Sequence, residues 1–183
     1  SALSWLHQSR DEFALADDSG GTRSGYITYG VSYRFLGQLE QSLEWHQRSM
    51  AIARQIGDGS GVADGLFNIA SIHESLGEYD EALRYYEDAL ELDRADGTPR
   101  NIAYSHVRLG MVLIELGQLA SARNNVETAM QLFASIDTPR DYQWSLATMA
   151  RIESLEDNAD AARDQLLEVL AISEAEVWPV LAN

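Results

Sequence analysis

The sequence has no cysteine and no lysine among its 183 residues. Without cysteine the chain has no disulfide bond, no thiolate metal site and no cysteine nucleophile, so these chemistries are excluded from the start. It also has no apolar run of about 18 residues that would cross a bilayer, and no N-terminal segment typical of a signal peptide. We therefore expect a cytoplasmic protein that makes no membrane contact.

Positive charge is scarce. The 13 basic residues, all arginine, are outnumbered by 29 acidic residues, and the formal net charge is -16. Nucleic-acid binding needs a concentrated basic face, so we expect no direct nucleic-acid partner. The hydrophobic content of 45% is sufficient for a continuous core, which argues against disorder, and the acidic residues are expected on solvated outer faces.

Proline is also rare, and its three occurrences are regularly placed. Pro99, Pro139 and Pro179 lie 40 residues apart, the first two inside identical Thr-Pro-Arg triplets. Proline is well tolerated in the first turn of a helix, where its missing N–H needs no partner. Each proline is therefore predicted to begin a helix.

Turn residues follow the same 40-residue register. Leu-Gly pairs end at Gly37, Gly77 and Gly117, and Asp157 takes the next place within a turn-forming stretch. Between the turns, apolar residues recur three and four positions apart, which is helical spacing. Each unit is predicted to be a helix, a turn and an antiparallel helix, and the units must stack because one pair cannot bury its apolar face alone. Small residues stand five positions after each turn, at Ser42, Ala82, Ala122 and Ala162.

These positions resemble the tetratricopeptide repeat (TPR) family, whose pattern combines large residues, a Leu-Gly pair, a turn glycine and a small alanine at fixed offsets. The common repeat of about 34 residues is shorter, so the chain is similar to the longer form in kinesin light chains, spindle-orientation scaffolds and many bacterial regulators. The resemblance implies an all-α fold, a right-handed superhelical solenoid of antiparallel helix pairs. The third unit carries the pattern as His106, Leu109, Gly110, Leu113, Gly117, Ala122 and Val126.

The register predicts where each unit begins and ends. Because the leading unit lacks its first helix and Pro179 stands where a further unit would begin, we expect a piece of a longer protein. A polar linker is expected at 17–21 and a flexible inter-repeat loop at 57–61. The predicted units are the second helix of a truncated repeat at 1–17, repeats at 23–57, 62–96, 99–136 and 139–175, and a tail or further repeat at 176–183.

The resemblance also implies a binding surface, because in the family the first helices of successive units line a concave groove. On each first helix, the side chains that lie half a turn away from the core-facing side chains are expected to face that groove. Within it, Asn68 is expected to hydrogen-bond a peptide backbone and Arg108 to pair with a carboxylate. First helices also pack on one another, which favours a core position for Phe67, Val107 and Ile114. The predicted peptide-binding residues are Arg34, Phe67, Asn68, Tyr104, Arg108, Met111, Trp144 and Arg151.

The remaining motifs do not indicate an enzyme or a cofactor. The four histidines are scattered on different helices without metal-ligand spacing, so they are predicted to be packing residues. The glycine-rich stretch at 57–61 lacks the lysine of a phosphate-binding loop. No catalytic residues, metal or cofactor are therefore predicted.

Two functions are compatible with these features. The leading hypothesis is a protein-interaction module that binds a peptide or a partner helix in the groove. The alternative is a ligand-sensing regulatory domain of a bacterial-type transcriptional regulator or signalling ATPase. Self-association is also predicted, because the ends of a repeat array expose apolar surface.

Overall fold

The computed structural model describes residues 19–181, and this part of the chain is folded into eight α-helices without a β-strand. None of these helices is long and apolar enough to cross a membrane. The predicted helix at 1–17 lies outside the described residues. The helices are α1 (Ser19–Phe35), α2 (Leu39–Ile56), α3 (Gly59–Leu76), α4 (Tyr79–Asp96), α5 (Pro99–Glu115), α6 (Leu119–Ser135), α7 (Pro139–Leu155) and α8 (Ala159–Leu181).

α1 to α7 are each followed by a turn residue with positive φ, and these turn residues recur every 20 residues. At Gly77, where φ is 77°, the backbone N–H bonds to the Glu74 carbonyl and the next N–H bonds to the His73 carbonyl. This left-handed conformation favours glycine because a Cβ would be strained there. The sequence period of 40 residues is thus two helix-and-turn steps of 20. The positive-φ residues are Gly37, Gly57, Gly77, Gly97, Gly117, Asp137 and Asp157.

Helix starts agree with the sequence prediction at two prolines and differ from it elsewhere. Pro99 and Pro139 begin α5 and α7 as predicted, whereas α8 continues through Pro179 to Leu181. The flexible loop predicted at 57–61 was wrong, because only Gly57 and Asp58 separate α2 from α3. Asp58 caps α3 by accepting a 2.9 Å hydrogen bond from the Gly61 N–H. The linker predicted at 17–21 is helical from Ser19 onward.

The chain forms two compact units that divide between residues 96 and 97. In the first unit, α1 to α4 pack in chain order as antiparallel neighbours. Its core includes Met50, Leu66 and Ile69, and the rings of Tyr29 and Trp45 stack with centroids 4.7 Å apart. These residues come from adjacent helices, so each helix pair shelters the apolar face of the next.

The second unit contains α5 to α8, which also pack in chain order. Val107 and Phe133 are fully buried in its core. α5 approaches α6 closely at Gly110, where an added Cβ would lie 2.6 Å from Cγ2 of Val126. Helix pairs that stack in chain order confirm the predicted all-α repeat class.

An arginine joins the helix pairs of the second unit. Arg123 on α6 donates from Nη1 to Oε1 of Glu153 at 2.6 Å and from Nη2 to Oε2 of Glu156 at 2.5 Å. Asn158 donates to the other Glu153 oxygen at 2.8 Å. Glu153 lies in the last turn of α7 and Glu156 follows the helix directly, so this clamp fixes the end of α7 against α6.

Candidate functional site

The predicted groove residues lie on the first helices of the pairs, α1, α3, α5 and α7, and in the first unit they are engaged locally. Arg34 donates from Nη1 to the Ser71 hydroxyl at 3.0 Å, which joins α1 to α3. The Phe67 ring meets the Tyr86 ring edge to face at 5.2 Å and packs against the core. Asn68 donates from Nδ2 to the Asp64 carbonyl of its own helix at 2.8 Å. Each of these side chains therefore has an internal contact.

In the second unit, the structure brings three predicted residues together between α5 and α7. The Tyr104 and Trp144 rings lie with centroids 5.7 Å apart, and the Arg108 guanidinium lies 4.9 Å from the Trp144 ring centroid. Tyr104 also meets Phe133 edge to face at 5.4 Å. These contacts anchor one side of the aromatic pair in the core and leave a partly exposed side on the first helices.

A buried carboxylate completes this arrangement. Asp141 is only 7% exposed; it accepts a 2.6 Å bond from the Tyr104 hydroxyl and a 3.0 Å bond from Arg100 Nε. Burial, followed by the hydrogen bond to Asp141, raises the pKa of Tyr104, so its hydroxyl stays protonated and donates. We define Arg100, Tyr104, Arg108, Asp141 and Trp144 as the Tyr104–Trp144 cluster.

The other two predicted residues of this unit lie beside the cluster. Met111 is partly buried against the core, and Arg151 on α7 forms a 2.7 Å ion pair with Glu115 on α5. The prediction missed Arg100, Asp141 and Glu115. In the sequence each of them stands nearly one 40-residue repeat away from its partner, which is an oppositely charged residue or, for Asp141, also a tyrosine. Val107 and Ile114, which the packing argument favoured as core, are 0% and 5% exposed.

The described histidines are used in packing and in single hydrogen bonds. His46 is 1% exposed against Gly30, and burial, with the charge of Arg34, lowers its pKa to about 4. His73 lies 2.6 Å from a Glu78 carboxylate oxygen and stacks on Tyr85. Among residues 19–181, no group of three or more acidic or histidine side chains is placed to hold a metal ion. His7 lies outside the described residues.

Acidic residues are unevenly divided between α1 and α4 of the first unit. α1 contains two arginines and no acidic residue, whereas α4 contains seven acidic residues and two arginines. On α5 and α7, arginine supplies the charged side chains over and beside the aromatic cluster. α5 and α7 therefore present aromatic and guanidinium groups, the residue types enriched at protein interfaces.

Residues 21–95 match the family model of the tetratricopeptide repeat. No curated protein sequence matches the chain. The apo form of RapI is 19% identical with a TM-score of 0.86, covering 96% of this chain and 64% of RapI. Aspartyl phosphate phosphatase F from Bacillus subtilis is 14% identical with a TM-score of 0.87, covering 96% of this chain and 46% of the phosphatase.

A third solved structure, nearly identical TPR-like repeats from Podospora anserina, is 16% identical with a TM-score of 0.75. It covers 96% of this chain and 86% of that one. At these identities the likeness shows the fold alone. The chain spans less than two thirds of the length of RapI and of the phosphatase.

Proposed function

We propose, from the premise that this chain is a tetratricopeptide-repeat protein, that it is an interaction module whose first helices bind a peptide or a helix of a partner protein. The family match and the TPR-like solved structures support a protein-interaction role. The peptide-binding surface itself is our proposal, and we place it on α5 and α7 of the second unit.

The Tyr104–Trp144 cluster carries this proposal. Two aromatic rings supply contact area, and guanidinium groups supply polar anchoring, which is the combination found at the energetic centres of interfaces. The Asp141 bond and the Phe133 contact fix the Tyr104 ring before a partner arrives, which lowers the entropic cost of binding. Arg100, at 57% exposure, and Arg151, at 48%, flank the cluster in reach of solvent.

The cluster does not support catalysis. Its hydroxyl donates to a carboxylate that also accepts from an arginine, so neither group is an activated nucleophile or a free base. We therefore propose binding without turnover. The ligand-sensing alternative gains no specific support from the described residues.

A pull-down from the native host, with cross-linking, tests the proposed surface. Wild-type chain is compared with a Tyr104→Ala, Arg108→Ala double variant, which removes a ring and the guanidinium over Trp144. An Arg84→Ala, Glu87→Ala double variant on the exposed face of α4 is the matched control. We expect a protein captured by wild type and control to be lost with the cluster variant.

Two further measurements make this result decisive. Circular dichroism melting of each variant separates loss of binding from loss of folding. Trp144→Phe, which retains an aromatic ring, is expected to keep part of the binding. Identical captured proteins for all folded variants would reject the cluster as the binding surface.

A further inference from the structure

The charged side chains of α5 and α7 are sorted by sign. These two helices carry four arginines and three acidic residues, although acidic residues outnumber basic ones by 29 to 13 in the whole chain. Two of the three carboxyl groups are buried, since Asp141 and Glu153 are each 7% exposed. The third, Glu115, pairs with Arg151 at 2.7 Å. The exposed charge on these two helices is therefore mainly guanidinium.

Each of the three carboxylates already accepts a bond from an arginine. Asp141 accepts from Arg100, and Glu153 accepts from Arg123 on α6. Glu115 accepts from Nη2 of Arg151. Because their negative charge is neutralised within the second unit, these carboxylates do not repel an anion that approaches α5 and α7.

The guanidinium groups are held in a way that suits a further carboxylate. Arg108 lies 4.9 Å from the Trp144 ring centroid, and Arg100 lies 5.7 Å from the Tyr104 ring centroid. Stacking uses the flat face of a guanidinium, whereas its N–H bonds point outward in its plane. A guanidinium has several such donors and can serve more than one acceptor. The Arg100 side chain is 57% exposed, so a carboxylate can reach it from solvent.

The contacts along α7 give the spacing of the positive groups. Arg100 is bonded to Asp141, and Arg108 lies over Trp144. Arg151, with a side chain 48% exposed, stands further along the same helix. Since a helix rises about 1.5 Å per residue, positions 141 and 151 are about 15 Å apart along α7. A ligand that meets both ends therefore needs acidic groups on both sides of the part that covers Trp144.

We propose, on the basis of the function proposed above, that the Tyr104–Trp144 cluster and Arg151 bind an acidic segment of a partner protein. Acidic residues of the segment pair with Arg100 and Arg108 at one end and with Arg151 at the other. An apolar residue between them packs on the Trp144 ring. A second copy of this chain is a poor occupant, because two copies with a formal net charge of -16 each repel one another.

Selection from a phage-displayed library of random dodecapeptides tests this chemistry without a known partner. Phage that also bind the folded Tyr104→Ala, Arg108→Ala variant are removed, so the remaining peptides depend on the cluster. We expect these peptides to contain at least about twofold more Asp and Glu than the starting library, on both sides of an aromatic or aliphatic residue. Basic peptides, which the acidic surface elsewhere attracts, should be lost at the removal step.

A matched pair of double variants then tests the charge itself. The most enriched peptide, labelled with fluorescein, is titrated with the whole chain by fluorescence anisotropy. Arg108→Gln with Arg151→Gln removes two guanidinium groups and keeps both rings, and it is expected to weaken binding at least about tenfold. Arg54→Gln with Arg84→Gln, at exposed positions of α2 and α4, changes the net charge equally and should bind within about twofold of wild type. Melting curves confirm that both variants remain folded.

The outcomes separate this proposal from the one on which it rests. Cluster-dependent peptides without acidic enrichment, or equal binding by wild type and the Arg108→Gln, Arg151→Gln variant, would overturn the acidic partner and leave the binding surface in place. Recovery of no cluster-dependent peptide would count against both. Concentration-dependent self-association that the same double variant abolishes would also overturn the proposal, because a second copy would then be the occupant.

Discussion

Replacing Arg123 by methionine tests the clamp between α6 and α7. Methionine keeps an apolar side chain of similar length, and removes the guanidinium with both hydrogen bonds to the glutamates. The Glu153 side chain is only 9% exposed, so its carboxylate would keep just the Asn158 bond. The variant therefore leaves a buried charge without its ionic partner.

The size of the effect follows from the burial of the two partners. Breaking a fully buried pair costs about 3–5 kcal/mol, because one charge remains desolvated. An exposed pair contributes about 0–1 kcal/mol. The Arg123 side chain is 28% exposed, between these limits, so we expect a loss of about 2 kcal/mol in the free energy of unfolding near pH 7.

The same contacts determine how the loss depends on pH. The Arg123 hydrogen bond lowers the pKa of Glu153. A carboxyl group with a lowered pKa stabilises the folded state above its unfolded pKa of about 4.3, and this contribution disappears as the pH falls through the folded pKa. The difference between wild type and Arg123→Met should therefore be full near neutral pH and shrink in acid.

Urea denaturation followed by circular dichroism, near pH 7 and in acid, measures both effects. Arg163→Met is the matched control, because this arginine has the same register position on α8 but is 64% exposed. The control should change the free energy of unfolding by less than about 0.5 kcal/mol. An Arg123→Met loss no larger than that of the control, or one that persists unchanged in acid, would refute the reasoning.

Three further predictions concern stability. Burial lowers the pKa of His46 from 6.5 to about 4, so the unfolded chain takes up a proton before the folded chain does as the pH falls. About 3 kcal/mol of stability should therefore be lost between pH 6.5 and 4. Urea titrations at several pH values should show that this pH dependence is weaker in His46→Leu. Gly110→Ala should destabilise the fold by about 1–3 kcal/mol, because the added Cβ clashes with α6. Gly25→Ala, where no described atom lies within 4 Å of the added Cβ, should stabilise the fold by about 0.5–1 kcal/mol. Thermal melting that ranks the two variants in the opposite order would contradict the packing. Gly77→Ala, at φ 77°, should cost about 1–2 kcal/mol, and Asp157→Gly, at φ 60°, should be neutral or stabilising; equal denaturation midpoints for both variants would argue against the left-handed turns.

Much of the fold was predictable because prolines and glycines mark the helix starts and the turns of the repeats. Pro99 and Pro139 begin helices in the structure as their Thr-Pro-Arg triplets predicted. Gly59 and Gly61 were misassigned to a flexible loop because the neighbouring glycines resemble a linker, yet both are helical and Asp58 caps their helix. Local composition could not reveal this, since the cap depends on the geometry of a two-residue turn.

The site was predictable only as a helix face. Helical spacing placed Tyr104 and Arg108 on one stripe, and the 40-residue register placed Trp144 on the corresponding stripe. Asp141 fell outside that stripe, and its bond to Tyr104 depends on the offset and crossing of α5 and α7, which no local pattern specifies. The same limit applies to the Arg123 clamp, which joins helices through residues 30 and 33 positions apart.

The most direct test of the central claim, that α5 and α7 form the partner-binding surface, is site-specific photo-cross-linking in the native host. A photoreactive phenylalanine analogue replaces Arg151 on α7 in one variant and Glu87 on α4 in another, both exposed positions. A discrete adduct with a partner protein is predicted from position 151 and not from position 87. Adducts of the same protein from both positions, or from position 87 alone, would contradict it.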